Sequence, residues 1–150
     1  MNKTINLFFC FLLVVMVSAG CKSTKTAQSN EAEVKCFILG EGGGFAGSYI
    51  QYKICSDGVI SKYNFTDKEY HTIGTAVPKE LDKIFTQLNA LNLDELEISS
   101  PGNMSQYITL INENKADHTL TWELNSNSVD PDIISFFHQS FTYCNSFLIN

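Results

Sequence analysis

The chain has 150 residues with 10 basic and 16 acidic side chains, a formal net charge of −6, and every basic residue is a lysine. Phosphate binding needs a basic footprint, so nucleic acid is a poor partner, and the acidic surface speaks first of solubility. Hydrophobic and aromatic fractions of 44% and 12% are globular values and argue against a disordered stalk.

The N-terminus reads first. Lys3 supplies a positive start, and residues 7–17 (LFFCFLLVVMV) form an uncharged apolar run of 11 residues. A bilayer core takes roughly 20 apolar residues, so this run suits a secretory signal rather than a membrane span. Val17-Ser18-Ala19-Gly20-Cys21 follows. That order resembles the lipobox of bacterial lipoproteins, in which small residues admit the signal peptidase and the cysteine thiol carries a diacylglycerol. The alternative is an ordinary signal with an incidental cysteine. The resemblance implies that residues 1–20 are removed and that Cys21 is lipidated. A diacylglycerol with an N-acyl chain exceeds the two signals that stable membrane anchoring requires. Lys22 is not the aspartate that marks inner-membrane retention in some bacteria, so the expected location is the cell envelope, at the outer membrane. Residues 22–33 (KSTKTAQSNEAE) hold no large apolar side chain and read as a flexible tether. Residues 34–150 remain for one domain, with no room for two. Without Lys3, nine lysines stand against 16 acidic residues, a net charge of −7.

The domain opens with strand-like runs. Residues 34–39 (VKCFIL) are rich in β-formers, then come Gly40-Glu41-Gly42-Gly43-Gly44-Phe45-Ala46-Gly47 and a second run, residues 48–55 (SYIQYKIC). Asp57-Gly58 supplies the positive φ values of a tight hairpin. Residues 59–65 (VISKYNF) alternate, with Val59, Ser61, Tyr63 and Phe65 on one face. These three runs predict an antiparallel meander.

The period then changes to helical. Pro78 suits a first helical position, and Leu81, Ile84, Phe85, Leu88 and Leu91 form one apolar stripe. Residues 99–103 (SSPGN) break the chain, after which period two returns in residues 106–111 (QYITLI) and 118–124 (HTLTWEL). Pairing Ile108 with Trp122 and Leu110 with Leu120 puts the apolar side chains on one face and leaves Thr119, Thr121 and Glu123 to water. A second helix closes the chain: Asp130 caps it, Pro131 takes the first position, and Asp132 places negative charge where the helix dipole favours it. Ile133, Phe137, Phe141, Cys144 and Leu148 form its buried face. The order βββ–α–ββ–α predicts an α+β domain: an antiparallel sheet of about five strands with two helices packed on one face.

Five cysteines are present, of which Cys10 leaves with the signal and Cys21 is taken by lipid. Cys36, Cys55 and Cys144 remain in an exported, disulfide-permissive location. Cys36 and Cys55 could be bridged across the first hairpin; the preferred reading is three buried small hydrophobes. No Cys/His spacing suggests a metal site.

Candidates for catalysis are thin. His71, His118 and His138 are scattered, with no HExxH or HxH context. His118 is expected at a strand end and His138 on a helix surface. Asp94, Glu95 and Glu97 cluster, as do Glu113 and Asp117 in a hairpin turn, but acidic turns are usually solvated. No serine lies in a GxSxG elbow. No catalytic residue, metal or cofactor is expected, and the chain reads as a non-enzyme. The glycine run resembles a phosphate loop only in its glycines, because it lacks the Lys-Ser/Thr ending and joins two antiparallel strands. Two readings of it stay open. In one, the glycines permit positive φ in a long hairpin loop and Phe45 folds back onto the core. In the other, the loop presents Phe45 to a partner as an aromatic anchor.

Val34-to-Leu39, Gly43-Gly44-Phe45-Ala46-Gly47 (GGFAG), the late hairpin NMSQYITLI with DHTLTW, and the Pro131-led C-terminal helix occur in that order. The set resembles the emfourin family, small bacterial inhibitors of protealysin, a thermolysin-like zinc metalloprotease. The resemblance covers residues 34–150. It implies an emfourin-like domain that inhibits such a protease through a surface including Gly43, Gly44, Phe45, Ala46 and Gly47. The chain departs from the family in its lipoprotein anchor and in a longer stretch between Asp57 and Pro78. Those departures suit a second expectation, a non-inhibitory envelope lipoprotein that acts as a protein-binding module.

Overall fold

A computed structural model describes residues 34–44, 47–112 and 117–149. The expectations placed on residues 1–33, Cys21 among them, and on Phe45, Ala46 and Glu113 lie outside the described residues. Seven strands are present: β1 (Val34–Gly43), β2 (Ser48–Cys55), β3 (Val59–Asn64), β4 (Glu69–Thr75), β5 (Ser99–Ser100), β6 (Met104–Asn112) and β7 (His118–Glu123). Among the described residues two α-helices, α1 (Pro78–Ala90) and α2 (Pro131–Ser146), complete an α+β domain, with a 3-10 turn at Leu93–Glu95.

The strands form one sheet in the order β4-β3-β2-β1-β6-β7-β5. All pairings are antiparallel except β5 with β7, which is parallel. The sheet is therefore mixed and seven-stranded, where five antiparallel strands were expected. The two extra strands are the edges. β4 reads EYHTIGT and is mostly exposed, so it shows little of the apolar alternation that marks a half-buried strand. β5 is two exposed serines inside the breaker cluster, held because Thr121 N–H donates to the carbonyl of Ile98 at 2.8 Å.

Alternation sorts the side chains onto two faces. On one, Phe37, Leu39, Tyr52, Ile54, Ile60, Ile108, Leu120 and Trp122 are all fully buried. Both helices reach this set: Phe85 of α1 meets Phe37 edge-on at 5.6 Å, and Phe136 of α2 meets the same ring at 5.7 Å. Phe137 meets Trp122 at 5.6 Å and Phe141 meets Tyr52 at 5.2 Å. β3 buries Ile60, the residue opposite the expected Val59/Ser61/Tyr63/Phe65 face, along with Ser61 of that face, and Phe65 lies beyond the strand and is exposed.

The helices begin as their sequences require. Pro78 and Pro131 occupy first-turn positions, and the Asp130 carboxylate accepts the Asp132 N–H at 2.8 Å. In α1, Ile84 and Leu88 are buried, with Leu81, Phe85 and Leu91 packed partly against them. In α2 the buried face holds Phe136 and Ser140 beside Ile133, Phe137 and Cys144, whereas Leu148 lies past the helix end and is exposed.

The β6–β7 register differs from expectation by two residues: Ile108 faces Leu120, Leu110 faces His118, and Trp122 faces Gln106. A two-residue slip keeps every side chain on its face. It also satisfies the buried indole, whose Nε1–H donates to Gln106 Oε1 at 3.1 Å, while Gln106 Nε2 donates to Glu41 at 2.8 Å. A buried indole N–H without an acceptor would cost about 1–3 kcal/mol.

Cys36 and Cys55 face each other in the β1–β2 register and are joined by a disulfide, so the three thiols are not all buried and free. Cys144 stays free and buried. The sheet thus has two ends. At the Val34 end lie the disulfide, the 56–58 turn and the 76–78 connection; at the Gly43 end lie the β1–β2 turn, the start of β6 and the β3–β4 hairpin. Nine residue steps at 3.3 Å put these ends about 30 Å apart.

Candidate functional site

β1 runs past the expected 34–39 to Gly43, so only a short turn separates it from β2 at Ser48. The first half of the expected glycine loop, residues 40–43, is strand. Gly43 has φ of 120°, and a Cβ there would collide with the Asn103 carbonyl oxygen, so only glycine fits. Gly44 N–H donates to that same carbonyl at 2.6 Å, and Gly47 N–H donates to the Gly44 carbonyl at 3.1 Å. The turn is thereby fastened to the chain entering β6. Gly43, Gly44 and Gly47 stand at this corner; the roles assigned to Phe45 and Ala46 concern residues outside those described.

The residues around the turn carry the exposed apolar surface. Tyr49 and Phe65 are 51% and 46% exposed, with ring centroids 5.8 Å apart, and Ile50, next in β2 and on its other face, is also exposed. From Phe65 the rings continue to Tyr63 at 4.8 Å and on to Tyr70 at 5.0 Å. Lys53 Nζ sits 4.3 Å over the Tyr70 ring, a cation–π contact. Gln51 joins this run to β6, because Tyr107 Oη donates to Gln51 Oε1 at 2.7 Å and Gln51 Nε2 donates to Tyr70 Oη. Tyr107 can lie flat across β1 because residue 40 is glycine; a Cβ there would overlap the phenol ring. Burial, with Tyr70 and Tyr49 adding to it, pushes the Tyr107 phenol up to about 12. It stays a neutral hydrogen-bond donor at neutral pH.

Two open clefts of about 400 Å³ each flank Tyr49. One has Gly42, Gly43 and Gly44 as its floor with Asn103 and Tyr107 on the side. The other lies against Lys62, Phe65, His71 and Ile73.

The histidines stay apart. His71 Nε2 lies 2.7 Å from Asp67 on the exposed β3–β4 hairpin. Desolvation pushes the Asp67 carboxyl up, but hydrogen bonds from His71 and the Glu69 N–H prevail and hold it below its usual value. His118 begins β7 with Nε2 2.9 Å from the Leu96 carbonyl, and His138 is exposed beside the Phe137 ring. Asp94, Glu95, Glu97 and Asp117 are all exposed. Among the described residues no group of three His, Cys, Asp or Glu side chains could hold a metal ion. Burial pushes the Cys144 thiol up to about 12, which makes it a poor nucleophile.

Tyr49, Ile50, Phe65 and the Gln51–Tyr70–Tyr107 network were not singled out in the sequence. One signal was available: residues 48–52 (SYIQY) put apolar side chains on both faces at the start of β2, where one face would suffice for a core. No family model matches the chain, and no curated protein matches it.

Proposed function

We propose that this chain is a lipid-anchored envelope protein that inhibits a thermolysin-like zinc metalloprotease by docking the Gly43 end of its sheet into the enzyme's cleft. The observation that carries the reading is the exposed pair of rings Tyr49 and Phe65, with Ile50 exposed on the other face of β2, beside the turn that contains GGFAG. Interfaces draw most of their energy from a few aromatic anchors that fill pockets. The GGFAG resemblance supplies the class of partner. Inhibition requires only occlusion: the turn and its flanking rings occupy the cleft and exclude a substrate peptide.

The reading includes both helices on one face of the sheet. Its support is that Phe85 and Phe136 meet the same Phe37 ring, and the aromatic run from Phe65 to Tyr107 then occupies the uncovered face. Cys21 as the lipidated residue and the outer membrane as the location belong to the same reading.

A specific observation favours the second reading, a non-inhibitory binding module. The aromatic run extends onto β3 and β4, which lie in the stretch between Asp57 and Pro78 where the chain is longer than the family it resembles. Titrating a thermolysin-type protease from the same organism with the full chain separates the two. Stoichiometric loss of peptidase activity is expected, and full retention of activity with binding would leave the binding module.

A further inference from the structure

Among the described residues the exposed large apolar side chains fall into two sets. Tyr49, Ile50 and Phe65 belong to the Gly43 end; Val77, Leu148 and Ile149 do not. Val77 is 60% exposed and Ile149 84%. Their position follows from a chain of contacts. Ser56 N–H donates to the Lys35 carbonyl at 2.8 Å, next to where the chain enters β1, and Ala76 N–H donates to the Gly58 carbonyl at 2.8 Å. Val77 follows directly, and its N–H reaches Tyr143 Oη at 3.3 Å. Tyr143 meets Phe147 edge-on at 5.3 Å, and the Phe147 ring covers Gly74 so closely that a Cβ there would overlap it. Leu148 and Ile149 come next. The second set therefore lies at the Val34 end, within about three strand spacings, roughly 15 Å, of the residue through which everything N-terminal joins the domain.

We infer that Val77, Leu148 and Ile149 form a lipid-docking patch that rests on the bilayer surface and holds the Gly43 end outward. This rests on the anchor reading above. Twelve residues, 22–33, separate Cys21 from β1 by at most about 45 Å of extended chain, so the patch is held at high effective concentration against the surface. A patch too small to bind a membrane unaided then suffices to orient the domain. Near it Lys79 and Lys83 flank Glu80 and Asp82 along α1, a balance that suits a zwitterionic surface better than a strongly anionic one.

The probe is the full lipidated chain in phosphatidylcholine vesicles, with an environment-sensitive fluorophore on Val77→Cys, Ile149→Cys or, at the opposite end, Tyr49→Cys. Labelling is selective because Cys36 and Cys55 are bridged, Cys144 is buried and Cys21 carries lipid in this reading. Positions 77 and 149 should be quenched from within the bilayer about threefold or more over position 49, and iodide in the water should quench position 49 best. Vesicles that float with the chain but show equal iodide quenching at all three positions would overturn the patch and spare the anchor. A chain that does not float with vesicles would overturn the anchor and the patch with it. Quenching from the bilayer that persists in the Leu148→Ser, Val77→Ser double variant labelled at 149 would assign the contact to the tether alone and also overturn the patch.

Discussion

The two ends of the sheet are built from different physics. The Val34 end is closed by covalent and hydrogen-bonded ties: the Cys36–Cys55 disulfide, Ser56 to Lys35, and Ala76 to Gly58. The Gly43 end is closed by a glycine corner fastened to Asn103, and its side chains include large rings, Tyr49 and Phe65 exposed among them, that meet tilted or edge-on. A rigid end suits attachment, and an end with exposed aromatic side chains on a fixed backbone suits recognition, because anchors that are already ordered lose little freedom on binding. If that division is right, changes at one end should alter stability and changes at the other should alter affinity.

The largest expected effect is at the covalent end. Replacing Cys36 and Cys55 together by alanine removes a bridge spanning 19 residues and should cost about 3 kcal/mol of folding stability. The denaturation midpoint should fall while inhibition by the folded fraction is unchanged. At the other end, Tyr49→Ala should weaken inhibition by about 2 kcal/mol, roughly thirtyfold, with stability altered by less than about 1 kcal/mol. Gly43→Ala adds strain at a positive φ and a clash with Asn103, and should cost about 1–3 kcal/mol in a thermal melt. Its affinity should fall too, because the corner that aims Tyr49 shifts.

A smaller effect tests the core shared by both ends. Burial raises the Cys144 thiol from 9.0 to about 12, so the folded chain keeps a proton that the unfolded chain gives up. Its stabilising contribution is complete below about pH 9 and is lost as pH rises toward 12. Denaturation midpoints should fall as pH rises above about 9, and Cys144→Ala should flatten that slope.

Much of the fold was legible because apolar periodicity and capping chemistry agree. Pro78 with the Leu81–Leu91 stripe, and Asp130-Pro131-Asp132 with its apolar face, announce two helices that form where expected. β4 was not legible because an edge strand facing water needs no apolar alternation, and β5 because two serines carry no periodic signal. The β6–β7 slip was invisible to a pattern of period two; what decides it is the hydrogen bond from Trp122 to Gln106, a tertiary fact. At the candidate site the glycines were legible as a turn, but not the extension of β1 to Gly43. Nor could the sequence reveal that Tyr49, near the start of β2, and Phe65, just past the end of β3, meet across the sheet, since their contact depends on the β2–β3 register.

The most direct measurement is a titration of a thermolysin-type protease from the same organism with the full chain purified in detergent, run beside Tyr49→Ala and Val77→Ser. The account predicts stoichiometric loss of peptidase activity for wild type, an inhibition constant raised about thirtyfold for Tyr49→Ala, and no change for Val77→Ser. Undiminished peptidase activity with the folded wild-type chain, or equal weakening by the two substitutions, would contradict it.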